Sequence, residues 1–442
     1  MNAHLKNDSE TYPAHLATLQ QHLESSLEGL PYDGVAIYSG TPYVAFLDDY
    51  HFPFKANPHF LWWLPLTELP ESWLLLRPGA KPRLLYHQPA DYWHLPPEDP
   101  AGFWTGSFDI DVVSEADSAH RALPDNLDRW AAIGAQMPAL GFADENPDLL
   151  VSRLHWCRAA KTEFELNRMR QASDLGVAAH SAAAQAFADG ASEYEIHLAY
   201  LEACAHAEKE LPYNNIIARN EHAAVLHYQN LDRDRNGPRH SFLIDAGASC
   251  EGYASDITRT YAEPGTDFEA LVQAMEERQL KMVDSMRAGS DYAALHGEAH
   301  RHVAELLSEF EVVKGSAEET LESGLTGAFF PHGLGHLIGL QVHDVGGQQA
   351  EFSGGVKAPP EDYPFLRTTR TLEAGYVVTV EPGLYFIPAL LGPLRANGKA
   401  EQINWARVDE FLPYGGIRIE DDVAVRAEGP PENLTRDAFA RL

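Results

Sequence analysis

Apolar and polar positions along the chain repeat with two different periods, and the period predicts which segments are strands and which are helices. Residues 241–263 hold two runs rich in β-branched residues around a centre of small residues, which predicts an antiparallel hairpin. Each strand carries an aspartate, Asp245 and Asp256, and a turn centred between Cys250 and Glu251 places the two directly opposite each other. Opposed side chains are about 4.5–5.5 Å apart and like charges there destabilise a sheet. The pair therefore predicts a cation between the two carboxylates.

Residues 1–160 predict a small α/β domain, in which helical and strand-like patterns are mixed. The segment 46–65 is dense in aromatic residues and prolines, which is typical of a packed irregular loop but also of an interface or the rim of a pocket. A helical pattern covers His15–Leu27, and the strand-like runs are Gly34–Tyr38, Trp73–Arg77, Arg83–His87 and Ala139–Phe142.

Residues 161–442 predict a second domain that contains both helices and strands. Two capping boxes, in which Ser or Thr is followed three residues later by Glu, begin at Thr162 and Ser192, and each precedes a helical pattern. The later helical patterns are Asp267–Met286 and Tyr292–Phe310, and the strand-like runs are Leu226–Tyr228, Gly339–His343, Tyr376–Glu381 and Ile417–Val425.

Composition and charge narrow the class of protein. A chain of 442 residues with 45% hydrophobic residues is long enough for two packed cores. Its 33 basic and 65 acidic residues give a net charge of −32, which argues against nucleic acid as a partner. The three cysteines have no disulfide or zinc spacing, the N-terminus is polar, and no apolar run is long enough for a membrane span. We expect a soluble cytoplasmic protein with no membrane partner.

A second group of candidate ligands follows later in the chain. His332 and His336 flank a glycine-rich loop, and His343 comes shortly after it. The glycines argue against the helical zinc motif, and they allow a backbone to pass close to a ligand. A single histidine is more often a hydrogen-bonded core residue, but three in this arrangement favour a site.

Two further carboxylates end or occupy strand-like runs. Glu381 follows a buried strand pattern, where a solvated strand end is an equally good interpretation. Arg418 and Glu420 share one strand face, since strand side chains alternate, and alone they are typical of a plain ion pair. If that face also carries the two aspartates, four carboxylates and one imidazole balance two divalent cations such as Mn²⁺, Co²⁺ or Zn²⁺. Two such cations, roughly 3.5–4 Å apart, can share a bridging water and lower its pKa.

The ordered series resembles a known family. Asp245, Asp256, the PHGLGH loop ending at His336, EPG beginning at Glu381 and GGIRIED containing Glu420 are similar to the metallopeptidases with the pita-bread fold. The resemblance is closest to bacterial Xaa-Pro dipeptidases (prolidases), including those called organophosphorus acid anhydrolases. It implies an α/β N-terminal domain and an α+β C-terminal domain with a curved, mostly antiparallel sheet backed by helices. It also implies hydrolysis of dipeptides that end in proline, with secondary hydrolysis of organophosphorus triesters and fluoridates.

The resemblance also implies individual roles. A hydroxide between two metal ions, Mn²⁺ in the first instance, attacks the scissile carbonyl. Asp245 binds one metal, Asp256 and Glu420 bridge both, and His336 and Glu381 complete the second. Glu381 also transfers protons. The remaining implied roles are oxyanion stabilisation by His332 and His343, substrate carboxylate binding by Arg418, pocket lining by His227, Tyr213, Tyr292 and Leu366, and entry of Asp49 from the neighbouring subunit of a homodimer whose N-terminal domain supplies the dimer contact and the pocket rim.

Three alternatives stay open at this point. Aminopeptidase P has the same fold and ligands and acts on longer Xaa-Pro peptides. The other two are a catalytically silent binding protein of the same fold and a metal-free enzyme of the creatine hydrolase type. The complete ligand series argues against both of these.

Overall fold

The structure is a computed structural model, which describes residues 7–395 and 400–442 and forms two compact units. The first unit consists of Met1–Arg168, Glu251–Tyr253 and Glu351–Gly355, and the second of Met169–Cys250, Ala254–Ala350 and Val356–Leu442. The first six residues of the polar N-terminus lie outside the described residues. Among the residues that are described, no helix combines the length and the apolar composition that crossing a membrane requires.

The first unit contains a six-stranded mixed sheet in the order β4-β3-β2-β1-β5-β6. Strand β1 pairs antiparallel with β2 and parallel with β5, and β3 pairs antiparallel with β2 and parallel with β4. The strands are β1 (Gly34–Tyr38), β2 (Trp73–Leu76), β3 (Arg83–His87), β4 (Asp109–Val113), β5 (Trp130–Ile133) and β6 (Asp144–Glu145), and the helices are α1 (Asp8–Leu27), α2 (Pro58–Leu61), α3 (Ala116–Arg121) and α4 (Asp148–Arg158).

One predicted strand of this unit is wrong. Ala139–Phe142 has no strand structure, and the strand beside β1 is β5 instead. Two of the four residues of β5 are alanines, which are depleted in strands, so the pattern of this buried strand is weak in the sequence. The remaining strand predictions of this unit are confirmed to within one residue.

Helix α5 (Glu163–Ala188) contains the division between the units, and its predicted capping box is present. The amide of Thr162 donates to the carboxylate of Glu165 at 2.8 Å, and the amide of Glu165 donates back to the Thr162 hydroxyl at 3.4 Å. The later helices are α6 (Glu193–Cys204), α7 (Asp267–Ser285), α8 (Tyr292–Glu309), α9 (Ala317–Glu322), α10 (Thr326–Phe329), α11 (Pro388–Arg395), α12 (Trp405–Phe411) and α13 (Leu434–Phe439).

The strands of the second unit pair antiparallel in the sets β11-β8-β7, β14-β17-β18 and β15-β16. A bridge between Thr258 and Glu420 joins the first set to the second. The strands after residue 168, of which β10, β12 and β13 include residues of the first unit, are β7 (Ile216–Arg219), β8 (Ser241–Asp245), β9 (Ser249–Cys250), β10 (Tyr253–Ala254), β11 (Thr258–Ala262), β12 (Gln349–Glu351), β13 (Gly354–Val356), β14 (Val377–Val380), β15 (Gly383–Tyr385), β16 (Gly416–Arg418), β17 (Asp421–Ala424) and β18 (Glu432–Asn433).

The predicted register of the hairpin is wrong by two positions. Asp245 lies opposite Thr258 in β11, not opposite Asp256. The reversal falls one residue later than predicted, at Glu251 and Gly252, which both have positive φ (50° and 89°) as a two-residue type I′ turn requires. Because strand side chains alternate, a shift by two positions keeps both aspartates on one face as diagonal neighbours.

Two other predicted strands of this unit are also wrong. Leu226–Tyr228 forms a turn, and the strand beside β8 is β7 instead. Gly339–His343 is irregular, because the preceding segment carries the pairing: the amide of Glu381 donates to the carbonyl of Leu334 at 2.8 Å. The glycine loop therefore runs alongside β14 and delivers its histidines next to the end of that strand.

Candidate metal centre

A cavity of about 650 Å³ lies in the second unit, where the ends of several strands meet the glycine loop. All five predicted metal ligands line it. The ligand atoms of Asp256, His336 and Glu420 lie within 4.8 Å of one another, and all three side chains are buried. The other two candidate ligands, Asp245 and Glu381, also line the cavity. The further polar residues of the lining are His227, His332, His343, Gln348, Arg367 and Arg418. The apolar part of the lining includes Leu226, Phe365, Leu366, Ile387 and Leu390.

The glycine loop approaches β14 too closely for any side chain at its centre. A Cβ atom placed on Gly335 would lie 2.3 Å from the carbonyl oxygen of Thr379 and 2.5 Å from the hydroxyl of Tyr292. This contact lets the amide of the next residue, His336, donate to the Thr379 hydroxyl at 3.0 Å. The glycine is thus required for the position of the imidazole.

The tautomer of His336 suits a metal ligand. Its Nδ1 lies 3.0 Å from the carbonyl oxygen of Leu337, which can only accept, so Nδ1 carries the hydrogen. Nε2 then presents its lone pair to the cavity, 3.5 Å from Asp256 and 3.7 Å from Glu381. A backbone carbonyl that fixes the outer nitrogen is the usual support of a metal-binding imidazole.

The carboxylates repel one another in a place that water hardly reaches. Burial, together with the charges of the neighbouring carboxylates, raises the pKa of Glu420 well above its usual range. Burial also raises the pKa of Glu381 to about 7, against the opposing effect of His336, and raises that of Asp245, against the opposing effect of Arg418. Four carboxyl groups that line one buried cavity repel one another when they are ionised, and a bound cation would relieve this repulsion.

A shared tyrosine hydroxyl points to the same shortage of positive charge. The hydroxyl of Tyr213 lies 2.8 Å from Oδ1 of Asp245 and 2.5 Å from Oδ1 of Asp256. A hydroxyl has one hydrogen, so it cannot donate fully to two ionised carboxylates at once. The donor set, four carboxylates and one imidazole whose Nε2 faces the cavity, fits two divalent cations of the Mn²⁺, Co²⁺ or Zn²⁺ type.

Arg418 is held by the chain itself. Its guanidinium donates to Oδ2 of Asp245 at 2.6 Å and to the hydroxyl of Tyr385 at 2.7 Å. The Tyr385 hydroxyl lies 2.8 Å from Nε2 of His332, whose Nδ1 donates to the carbonyl of Gly333. Because burial and the charge of Arg418 lower the pKa of His332 to about 3, the imidazole is neutral, and both of its nitrogens are occupied.

Three polar side chains of the lining, those of His227, His343 and Arg367, have no hydrogen-bond or ion-pair partner among the described residues. The His343 imidazole stacks edge-on against His336 at 4.4 Å, and burial and the neighbouring His336 lower its pKa to about 4. Arg367 is an exposed cation of the lining. Neither the imidazole nor this guanidinium makes a hydrogen bond or an ion pair with any residue that the structure describes.

The remaining predicted site residues occupy different places. His227 and Leu366 line the cavity. Tyr292 is fully buried, and its hydroxyl donates to the carbonyl of Thr379 at 2.6 Å, so it supports the strand behind the ligands. Asp49 lies in an exposed loop of the first unit.

Sequence reasoning missed several residues of the centre. Thr258 donates to Oε2 of Glu420 at 2.6 Å, and its position two residues after Asp256 was a signal, since both must share one strand face. The amide of Asp256 donates to Asp422 at 3.0 Å, and burial raises the pKa of that carboxyl well above its usual range. Arg367 lies in an irregular segment, where no periodic pattern could have indicated it.

Comparison with known families now decides the assignment. Residues 10–156 match the family described as "Xaa-Pro dipeptidase, N-terminal domain", and residues 167–427 match "Metallopeptidase family M24". This chain belongs to metallopeptidase family M24. Members of M24 use divalent metals and have the pita-bread fold, so the fold that the sequence predicted is confirmed.

Individual members of M24 resemble the chain over nearly its whole length. A protein of Stenotrophomonas maltophilia (strain K279a) called "Xaa-Pro dipeptidase" is 49% identical over 431 residues, 97% of each chain. One of the same name from Xanthomonas campestris pv. campestris (strain 8004) is 48% identical over 434 residues, 98% of each chain.

Solved structures of M24 members share the fold at lower identity. One is described as "Zn substituted E. coli Aminopeptidase P in complex with product", with a TM-score of 0.71, 23% identity and 98% of this chain and 96% of that chain covered. Another is "Proline aminopeptidase P II from Yersinia pestis", with a TM-score of 0.70, 23% identity and 97% and 96% covered.

Proposed function

We propose that this protein is a metal-dependent Xaa-Pro dipeptidase, which cleaves the bond before the proline of a two-residue substrate. The observation that carries the proposal is the convergence of Asp245, Asp256, His336, Glu381 and Glu420 on one cavity. The full-length similarity to proteins called Xaa-Pro dipeptidase supports this substrate over longer peptides. The aminopeptidase P structures share the fold, but at 23% identity they do not support the substrate of aminopeptidase P for this protein.

The substrate explains why a metal centre suits this reaction. The bond before proline is a tertiary amide with no N–H, so a peptidase that must accept a hydrogen bond from that amide binds such a substrate poorly. Two divalent cations, when bound, would polarise the carbonyl group of the substrate and lower the pKa of a water molecule. The residues of the chain then have to orient the substrate, move protons and stabilise developing charge.

Proton transfer falls to Glu381. Its carboxyl oxygens face the cavity beside the His336 imidazole, at 3.7 Å from Nε2. The leaving proline nitrogen has no hydrogen of its own and must gain one as the bond breaks. A carboxyl group of the lining can take a proton from water and deliver it to that nitrogen.

Stabilisation of the developing oxyanion falls more naturally to one of the two predicted histidines. His332 is neutral, donates from Nδ1 to Gly333 and has Nε2 on Tyr385, which leaves no N–H for the substrate. His343 has its ring in the lining and no partner among the described residues, so its N–H is available. We therefore assign the donor role to His343 and a positioning role to His332.

Binding of the substrate carboxylate involves a second arginine besides the predicted Arg418. The guanidinium of Arg418 is shared by Asp245 and Tyr385, whereas that of Arg367 lies at the cavity unpaired. A free guanidinium can form a bidentate pair with a carboxylate. We infer that Arg367 receives the proline carboxylate. Arg367→Ala should then raise KM for Ala-Pro about tenfold and leave kcat nearly unchanged.

The decisive experiment compares substrates and metals. The metal-loaded protein should hydrolyse Ala-Pro and leave Ala-Pro-Ala intact, and activity should be lost to a chelator and restored by Mn²⁺. Equal turnover of the tripeptide would make the protein an aminopeptidase P. No turnover of either peptide with any of Mn²⁺, Co²⁺ or Zn²⁺ would leave the silent binding protein as the better assignment. Hydrolysis of phosphotriesters stays a prediction, which the same preparations can test.

The cellular setting and the assembly are further parts of the proposal. We propose a cytoplasmic homodimer in which the first unit supplies the contact and the pocket rim, with Asp49 reaching the partner subunit's site. Phe46 and Leu47, beside Asp49, are about nine-tenths exposed, which is unusual for large apolar side chains and supports an interface there. Analytical ultracentrifugation should show a dimer, and Leu47→Glu should shift it towards the monomer.

A further inference from the structure

The wall of the cavity that carries Leu226 and His227 has no regular secondary structure to hold it. It belongs to residues 219–232, here called the cavity loop, which begins at the end of β7 and includes only a short 3-10 turn. Loops without ladder hydrogen bonds hold a fixed shape only when their polar groups find other partners. The partners of this loop therefore decide the shape of the substrate cavity.

Four hydrogen bonds of this loop end on one side chain, that of Glu193. This glutamate is the first residue of α6, and it is completely buried. Its Oε1 accepts the amide hydrogen of Arg219 at 2.8 Å and lies 2.7 Å from Nδ1 of His222. Its Oε2 accepts the Tyr228 hydroxyl and the amide hydrogen of Asp232, both at 2.8 Å.

The four donors are spread over the whole cavity loop. Arg219 and Asp232 are its two ends, and His222 and Tyr228 lie on either side of Leu226 and His227. The rings of His222 and Tyr228 also stack on each other, with centroids 4.5 Å apart. One carboxylate thus closes the loop at its base and holds the two residues that flank the cavity wall.

The rest of the first turn of α6 adds to this anchor. The amide of Tyr194 donates to the carbonyl of Asp232 at 3.1 Å, and the Tyr194 ring lies under the guanidinium of Arg233 at 4.4 Å. The next residue, Glu195, accepts from Arg235 at 2.7 Å. Three consecutive residues of the helix therefore contact the cavity loop or the residues directly after it.

Burying a carboxylate costs desolvation free energy, which is offset only when hydrogen-bond donors surround both of its oxygens. Each oxygen of Glu193 meets two donors, so its lone pairs are satisfied and its charge strengthens all four bonds. A glutamine of the same shape would turn an NH₂ group towards two of these donors, and the resulting clash would release one half of the loop.

We propose that Glu193 is a positioning residue for substrate binding, which acts through the cavity loop on Leu226 and His227. It touches neither the substrate nor the metal ligands. The proposal rests on the function assigned above, because the cavity must be the substrate site for the loop to influence KM.

The test uses Glu193→Gln in the metal-loaded enzyme, with Glu202→Gln on the exposed side of the same helix as the matched control. Hydrogen exchange should become faster in residues 219–232, KM for Ala-Pro should rise about tenfold, and kcat and bound metal should change less than about twofold. The control should match the wild type in all four measurements. An unchanged KM in a folded variant, or a loss confined to kcat, would overturn the proposal.

A double-mutant cycle separates positioning from a general loss of structure. If Glu193 acts through the cavity loop, adding Glu193→Gln to His227→Ala should raise KM far less than it does in the wild type. Fully additive effects on KM would contradict this. If Glu193→Gln does not fold, Tyr228→Phe removes one donor and leaves three, and it should give a smaller change in exchange and KM in the same direction. No change in either quantity would also overturn the proposal.

Failure of this inference can be distinguished from failure of the proposed function. A wild-type enzyme that does not cleave Ala-Pro would refute the function. The exchange measurement would still report whether Glu193 holds the loop. A wild type that cleaves Ala-Pro, together with a Glu193→Gln variant of unchanged KM, would refute only the positioning role.

Discussion

Arg418 donates a 2.6 Å hydrogen bond from its guanidinium to Oδ2 of Asp245, and both side chains are largely shielded from water. The carboxylate that is expected to bind a metal therefore has a fixed cationic neighbour. Removing one partner of a buried ion pair leaves the other charge uncompensated, which costs on the order of 3–5 kcal/mol. We expect Arg418→Ala to lower kcat at least about tenfold and to lower the melting temperature, because Asp245 loses its orientation.

The matched comparison is Arg367→Ala, which should change KM and leave kcat and the melting temperature nearly unchanged. Steady-state kinetics with Ala-Pro and thermal unfolding of both variants check the pair. If Arg418→Ala changed KM alone, Arg418 would serve the substrate carboxylate, as the family resemblance implies, and its bond to Asp245 would be incidental.

Asp256 and Glu420 are the ligands expected to bridge the two cations. Asp256→Asn and Glu420→Gln each remove one negative charge while keeping the shape of the side chain. Each should reduce kcat more than about a hundredfold and lower the number of tightly bound metal ions. Kinetics with Ala-Pro and metal analysis of the purified variants check this, with Glu322→Gln as an exposed control. Normal turnover in either variant would contradict the metal assignment.

The convergence of the five candidate ligands on one cavity could be expected from the sequence because four of them end, precede or lie between strongly patterned strands, and the fifth, His336, stands in a glycine loop. Asp245 ends β8 and Glu381 follows β14, so the strand patterns place each of them where its strand ends. The register between Asp245 and Asp256 could not be predicted, because it depends on which two residues accept positive φ at the turn. A shift by two positions left the face unchanged, which is why the site prediction was not affected.

The contacts that the sequence did not reveal are of a different kind. Arg367 and the cavity loop lie in irregular segments, whose shape is set by long-range hydrogen bonds. The hold of Glu193 on this loop joins residues far apart in the chain, and a single sequence carries no periodic sign of such pairs. The second arginine and the anchor of the cavity wall are therefore properties of the folded chain that the sequence pattern does not indicate.

Gly335 provides a test of the close approach between the glycine loop and β14. A methyl group at this position would meet the carbonyl oxygen of Thr379 at 2.3 Å, which is backbone and cannot move aside. Gly335→Ala should therefore lower the melting temperature by several degrees and displace His336, with a large loss of kcat. Gly327→Ala is the matched control, since nothing lies within 4 Å of a methyl group there. Equal behaviour of the two variants would show that the loop can move away from the strand.

His300 provides a test of how burial shapes the pH dependence of stability. Burial lowers the pKa of this histidine from 6.5 to about 4, and its Nδ1 lies 2.9 Å from the Thr326 hydroxyl. Between pH 6.5 and about 4 the unfolded chain therefore binds a proton that the folded chain does not. The contribution of His300 to the free energy of unfolding is complete above pH 6.5, and it falls as the pH falls, by about 1.4 kcal/mol per pH unit.

His300→Phe removes this titration while keeping an aromatic ring between Phe330 and Tyr363. Urea unfolding of the metal-free protein and of the metal-free variant at several values between pH 7.5 and pH 5 measures the effect. The stability of the wild type relative to the variant should decrease as the pH falls below 6.5. If the wild type and His300→Phe lost stability in parallel, the folded imidazole would take up its proton as readily as the unfolded one, which its burial argues against.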